Sequence, residues 1–511
     1  MAPPVVDSTA PRRLPDALAA TAVFIAAAAV LVLEIVGLRV VGPYVGVTLQ
    51  TSSAVIGVSL AAIAYGAWTG GRLADRVDPR RLLPPTFLLA AAATAVTLPV
   101  VRWTGEPLRG SSAGSILTLA ALAVFAPAAL LSSITPIVVK LQLSDVAHTG
   151  RVVGKLSGIG TLGGITATLG TGFVLVAALP SSAILLSLAV LLALLGLGLY
   201  VYLRRLSFNV TRGAVTMVAV AGLSGAGLTV VAPTPCDVET AYHCARVQAD
   251  PNRPGGRLLL LNGSRHSYED LDNPRWLEFA YAQWIGAFLD ELAPRGAPLR
   301  GLHVGGGGFT LPRYVAASRP GSYNRVLELD GALVELDRQK LGLTTGPDLD
   351  VVVGDARINL LAQDSGAFDV VVGDAFGHLA VPWHLTTREF VADIRRVLRP
   401  GGAYALNVID YPPGRLIRAE LATVMAVFAH VAVVAPSGAL DNEHGANFVV
   451  LASDAPLPLD ALRPQLQAQD VLTQRADPTI VLDGQSLVDY VGDSMILTDD
   501  HAPVDQLLTR P

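Results

Sequence analysis

Seven apolar runs, each about 20 residues long and nearly free of charge, fill the front of this 511-residue chain, near 17–38, 50–69, 83–101, 116–139, 156–179, 181–203 and 213–232. A hydrocarbon layer roughly 30 Å thick takes about 20 helical residues to cross. Residues 1–235 are therefore expected to form an all-α, multi-pass domain of about seven transmembrane helices in a lipid bilayer, the cell membrane. Composition agrees: only 15% of residues are charged, against about a quarter in soluble domains. The first run is followed at once by further spans and lacks a small-residue cleavage site, so it reads as a retained helix.

Charge divides the chain at the same place. Residues 1–235 carry 15 Lys+Arg against 7 Asp+Glu, whereas 236–511 carry 22 against 35. An acidic soluble half beside a basic apolar half excludes a nucleic-acid binder. Two cysteines, Cys236 and Cys244, exclude a disulfide-built scaffold and a multi-cysteine metal site; no metal is expected. Arginines and lysines cluster in alternate loops (Arg72, Arg76, Arg80 and Arg81; Lys140, Arg151 and Lys155; Arg204, Arg205 and Arg212). By the positive-inside bias these loops face the cytoplasm, and seven spans then place 236–511 outside, where the cysteines are free to pair.

Three features of the apolar half invite functional readings. Gly158-x-Gly160-x-x-Gly163 matches a dinucleotide fingerprint but lies within a span and follows no strand, so close helix packing through small residues is the expected role. Glu34, inside the first run, is expected to pair with a neighbouring helix or to reach the span end. Residues 70–76, Gly-Gly-Arg-Leu-Ala-Asp-Arg, resemble a short cytoplasmic loop of major-facilitator transporters, although seven spans are too few for that fold.

From 258 onward short apolar runs alternate with amphipathic stretches, the pattern of an α/β sheet covered on both faces. Strands are expected at 299–304, 325–329, 349–353, 368–373 and 403–408, with helices at 274–292 and 386–398. The aromatic stripe Tyr281, Trp284 and Phe288 on the first helix is read as core. In such a sheet ligands bind beyond the carboxyl ends of the strands, and four ends in succession carry ligand-type residues. These are Gly305-Gly306-Gly307-Gly308, Glu328-Leu329-Asp330, Gly354-Asp355-Ala356 and Gly373-Asp374-Ala375-Phe376. Glycines admit a ligand to the backbone, an acid after the second strand suits a ribose, and Asp355 suits an adenine amino group. A helix cap is the structural alternative for each Asp.

Those residues resemble the spermidine synthases, the polyamine aminopropyltransferases, from a hairpin-like Leu258-Leu259-Leu260-Leu261-Asn262-Gly263 through Gly401-Gly402. With the spans in front, the chain looks like bacterial fusions of a membrane domain to such a domain; Thr498-Asp499-Asp500-His501-Ala502-Pro503 is similar to them too. The resemblance implies a small N-terminal β region, about 240–272, and a Rossmann-like, class I methyltransferase-like sheet. It implies decarboxylated S-adenosylmethionine as co-substrate, with S-adenosylmethionine, and so a methyltransferase, as the alternative. Gly305, Gly306, Gly307, Glu328, Asp330, Asp355 and Ala356 would bind the nucleoside. Asp374 would be the catalytic acid–base, and His266, Trp276, Glu278 and Phe376 would meet a small-molecule amine. A homo-oligomer stays open, as does a non-catalytic binding domain coupled to the membrane half. The co-substrate favours a cytoplasmic soluble half, opposite to the charge pattern.

Departures from the family pattern concentrate on the amine side. Gly308 replaces an Asp after the third glycine, Gly377 replaces an Asp three residues beyond the catalytic one, and Leu261-Asn262-Gly263-Ser264-Arg265-His266 replaces Leu-Asp-Gly-x-x-Gln. Trp276-Leu277-Glu278 stands for Tyr-Gln-Glu. Glu269, Asp270 or Asp272 could compensate by folding over the site, although a solvated acidic loop is the expected role for at least two of them, and the acceptor is expected to differ from putrescine.

Overall fold

The computed structural model describes residues 14–110, 112–143, 149–204, 231–376 and 381–508, together with 222, 224, 225 and 227–229. The chain divides into two compact units, Met1–Ala241 and Tyr242–Pro511.

Among the described residues of the first unit, six helices are long and apolar enough to cross a membrane: α1 (Asp16–Val45), α2 (Leu49–Arg76), α3 (Pro79–Gly105), α4 (Ala113–Gln142), α5 (Thr149–Ala178) and α6 (Ser181–Leu203). The seventh expected run, 213–232, lies largely outside the described residues, as does Gly377. Small residues set the packing. A Cβ on Gly163 of α5 would collide with the backbone carbonyl of Phe24, and one on Gly160 would lie 3.4 Å from Val23. The Gly158-x-Gly160-x-x-Gly163 run is therefore helix surface laid against α1, although Gly158 itself faces open space. The expected loop at 70–76 is corrected: α2 continues to Arg76. A Cβ on Gly70 would stand 2.6 Å from Ser133 of α4, and Asp75 accepts from Lys140 at 2.7 Å, so helix–helix contact holds the last turns of α2 in place. Glu34 is half-buried within α1.

In the second unit, an antiparallel meander comes first, with β1 (Cys244–Ala249), β2 (Gly256–Leu261) and β3 (Ser264–Asp270). Asn262 and Gly263 both take positive φ in the β2–β3 turn, the Asn-Gly signature of a tight hairpin. Then follow α7 (Ala280–Glu291), β4 (Arg300–Val304), α8 (Thr310–Ser318), β5 (Tyr323–Glu328), α9 (Gly331–Lys340), β6 (Leu349–Val353), α10 (Ala356–Leu361), β7 (Phe368–Gly373), α11 (Arg388–Val397), β8 (Leu398–Asp410), α12 (Arg415–Met425), β9 (His430–Pro436), β10 (Ala446–Ser453), α13 (Leu459–Leu472) and β11 (Thr479–Asp483). The eight-stranded sheet runs β11-β9-β10-β8-β7-β4-β5-β6. Strands β6, β5, β4, β7 and β8 are parallel, whereas β10, β9 and β11 add antiparallel pairings.

Strand periodicity splits the core between the two faces of this sheet. Val370 and Val372 of β7 pack with Trp284, Ile285 and Phe288 of α7, while Val371 packs with Phe390 and Ile394 of α11 on the other side. Both faces are covered, which is why β7 carries Val370, Val371 and Val372 in succession. The expected end of α11 is shorter than the sequence suggested. The chain leaves the helix at Leu398, and residues 399–402 bulge, because Phe368 pairs with Leu398 but Val370 pairs with Ala403.

Candidate functional site

Parallel register brings the four ligand-type strand ends to one edge. Gly354 N–H donates to the Glu328 carbonyl at 2.9 Å, Gly305 N–H to the Leu327 carbonyl at 2.9 Å, and Asp374 N–H to the Val304 carbonyl at 2.9 Å. From β4 the chain winds outward through β5 to β6, then returns to β7 on the other side of β4. That reversal leaves a crevice between the ends of β4 and β7, where Gly305 and Asp374 stand.

The glycine loop there is shaped by backbone demands. Gly305 and Gly307 have φ of +95° and +51°, and a Cβ on Gly305 would come 2.5 Å from the Asp374 carbonyl. Glu328 organises the loop from below. One carboxylate oxygen accepts from Gly306 N at 2.7 Å and Gly307 N at 3.3 Å, and the other from Asp330 N at 2.8 Å. Burial raises the Glu328 pKa against the pull of these N–H groups. The loop thus offers bare backbone and an adjacent carboxylate, a surface fit for a nucleoside.

Asp330 and Asp355 both cap helices. Asp330 accepts from Ala332 N and Leu333 N at 3.1 and 3.2 Å, starting α9. Asp355 accepts from Ile358 N at 3.0 Å and lies 3.2 Å from His384 Nε2, with Ala356 opening α10. The structural alternative for these aspartates is realised at both positions, and Asp355 keeps its second oxygen for the His384 side of the edge.

Asp374 joins the glycine loop to a cleft of about 290 Å³. Asn407 Nδ2 donates to its carboxylate at 2.8 Å, Asn447 Nδ2 donates in turn to Asn407 Oδ1 at 3.0 Å, and the Tyr281 phenol of α7 lies close enough to lower the Asp374 pKa. Burial pushes the Asp374 pKa up, Asn407 and Tyr281 pull it back, and it settles at about 6. The Tyr281 phenol is pushed well above its usual range, first by burial and then by the Asp374 charge. Such a carboxylate is ionised at neutral pH yet basic enough to accept a proton.

Of the expected amine-side residues, His266 and Phe376 line this cleft with Asp374. Trp276 and Glu278 do not. The Trp276 indole donates to Glu278 at 3.1 Å, and Arg253 lies 3.8 Å above its ring. Tyr281, Asn407 and Asn447 join the candidate site without being expected from the sequence. Tyr281 lies in an aromatic helical stripe that reads as core. Asn407 has a local signal, as a lone amide inside the apolar run 403–408.

The sheet order and this edge define the class: a Rossmann-like, class I methyltransferase-like α/β domain. No protein-family model matches the chain. Among curated proteins, its C-terminal part is similar to the polyamine aminopropyltransferase of Vibrio vulnificus, 26% identical over 163 residues, which are 32% of this chain and 52% of that protein. The polyamine aminopropyltransferase of Erwinia tasmaniensis is 30% identical over 154 residues, 29% of this chain and 51% of that protein. The chain thus spans about half the length of these relatives. A ubiquinone/menaquinone biosynthesis C-methyltransferase of Methylobacterium nodulans matches at 29% over 170 residues, 33% of this chain and 64% of that protein. Among solved structures, a probable spermidine synthase from Corynebacterium glutamicum shows 29% identity, covering 53% of this chain and 96% of that one, with a TM-score of 0.47.

Proposed function

We propose that the protein is a membrane-anchored aminopropyltransferase that moves the aminopropyl group of decarboxylated S-adenosylmethionine to an amine, with Asp374 as the acid–base group. The observation that carries this reading is the position of Asp374, between the glycine loop and the cleft and held by Asn407 beside Tyr281. The nucleoside would lie across Gly305, Gly306 and Gly307, beside Glu328 and towards Asp355.

The acceptor amine, with a pKa near ~10, must lose a proton to become a nucleophile. Its nitrogen lone pair attacks the aminopropyl carbon next to the sulfonium. A C–N bond forms, the C–S bond breaks with its electrons passing to sulfur, and methylthioadenosine leaves neutral. Asp374 receives the ammonium proton, and no metal is needed at any step.

The similarity to a C-methyltransferase supports S-adenosylmethionine and methyl transfer as the second reading. Full-length protein in detergent, given each nucleoside with a panel of amines, separates the two. The proposal expects methylthioadenosine and an aminopropylated amine, lost in Asp374→Asn while nucleoside binding persists. S-adenosylhomocysteine and a methylated product, formed only from S-adenosylmethionine, would overturn it.

A further inference from the structure

A diamine carries a positive charge at each end, and a cleft that selects it needs an acid near each. Among the described residues lining the cleft, Asp374 is the single carboxylate, and it stands at the reacting end. The other lining groups able to carry a charge near neutral pH are basic, Arg265, His243 and His266, while the Tyr281 phenol beside Asp374 stays protonated. Arg265 stands on the wall with its guanidinium 5.1 Å from the Phe279 ring. Asn407 and Asn447 are neutral and already bonded to Asp374 and to each other.

Nearby acids do not redress this balance. Glu269 is buried behind the glycine loop, where it accepts from Thr310 at 2.7 Å. Asp270 pairs with Arg253 and accepts from Asp272 N and Asn273 N at 2.9 and 3.0 Å. Glu278 accepts from the Trp276 indole. None of the three lines the cleft.

We infer that the acceptor is a zwitterion, an amine carrying a carboxylate at its far end, with the amine at Asp374 and the carboxylate at Arg265. This deepens the aminopropyl-transfer reading and rests on it for the bond that forms. The amine nitrogen makes the C–N bond described above, Asp374 takes its proton, and the distal carboxylate remains unreacted as a handle. A guanidinium offers paired N–H donors to a carboxylate and repels an ammonium, so one side chain both attracts this acceptor and rejects a diamine.

Putrescine and 4-aminobutyrate form a matched pair, equal in reach and opposite in charge at one end. Binding of each to the full-length protein in detergent is measured by calorimetry, with and without methylthioadenosine, and transfer is then followed with decarboxylated S-adenosylmethionine. We expect 4-aminobutyrate to bind about tenfold or more tightly than putrescine. Arg265→Glu should reverse that order, and Arg265→Gln should level it. Putrescine binding as well as or better than 4-aminobutyrate in the wild type overturns the inference, as does a preference unmoved by Arg265→Glu. Failure of the reading beneath it looks different: the binding preference for 4-aminobutyrate stands, but no aminopropylated product forms.

Discussion

Restoring the aspartate that the family pattern leads one to expect at 308 should damage this protein. A Cβ on Gly308 would lie 2.5 Å from the Ser267 hydroxyl and closer still to the Glu269 carboxylate. Gly308 N–H already donates to that hydroxyl at 3.0 Å. Glu269 is fully enclosed, with one oxygen on Thr310 and the other without a partner, and burial pushes its pKa up to about 7. Gly308→Asp therefore inserts volume into a filled space, at about 1–3 kcal/mol, and sets a second carboxyl beside a buried acid with one oxygen unpartnered, at about 1–3 kcal/mol more. Taking roughly 3 kcal/mol as the total, and about 2–4 °C per kcal/mol for a domain of this size, the soluble unit should melt about 6–12 °C lower. Trp284, buried at 2% exposure in its core, gives a fluorescence signal for that transition in the detergent-solubilised chain. The loss should grow above pH 7, where Glu269 ionises, and removing that side chain in Gly308→Asp/Glu269→Ala should recover much of it, a non-additive coupling. A Gly308→Asp protein that melts within about a degree of wild type would refute the argument that Glu269 occupies the space of the missing aspartate.

Three further outcomes are expected. The transfer rate should rise with pH through about 6, the Asp374 value, because the base works only when unprotonated; a rate flat from pH 5 to 8 speaks against Asp374. Glu328→Gln should weaken nucleoside binding about tenfold or more, since an amide cannot accept at both ends from Gly306, Gly307 and Asp330; unchanged affinity in calorimetry removes the loop-organising role. Asp337, buried with both oxygens lacking partners, has its pKa raised to about 9, by burial first and then by the neighbouring acids. The folded state thus keeps a proton that the unfolded chain releases, so unfolding free energy should fall as pH rises from 7 to 9. Asp337→Asn should flatten that slope in thermal melts, and an undiminished slope counts against it.

What the sequence made legible follows from local rules, and what it hid depends on register and burial. Apolar runs announced the strands because both sheet faces are covered, and the glycine run announced a loop because Gly305 and Gly307 need positive φ. The acids were harder, because one residue type serves two ends: Asp330 caps a helix, Glu328 binds backbone, and Asp374 meets a cleft, although all three follow strands. Only the crossing from β6 back to β7 distinguishes them, since it opens the crevice at Asp374 and at no other of these ends. Asn407 joins Asp374 because β8 lies beside β7, and Asn447 follows because β10 pairs with β8 through Val449 and Asn407. Likewise, Glu269 and Asp270, two of the acids that could compensate on the amine side, and Glu278, an expected amine contact, each meet another partner in the meander and the 274–279 segment. The charge of the cleft is therefore a tertiary property. The absence of carboxylates at 262 and 308 can be read along the chain, but that Arg265 lines the cleft while its acidic neighbour Asp250 stays outside emerges only from the fold.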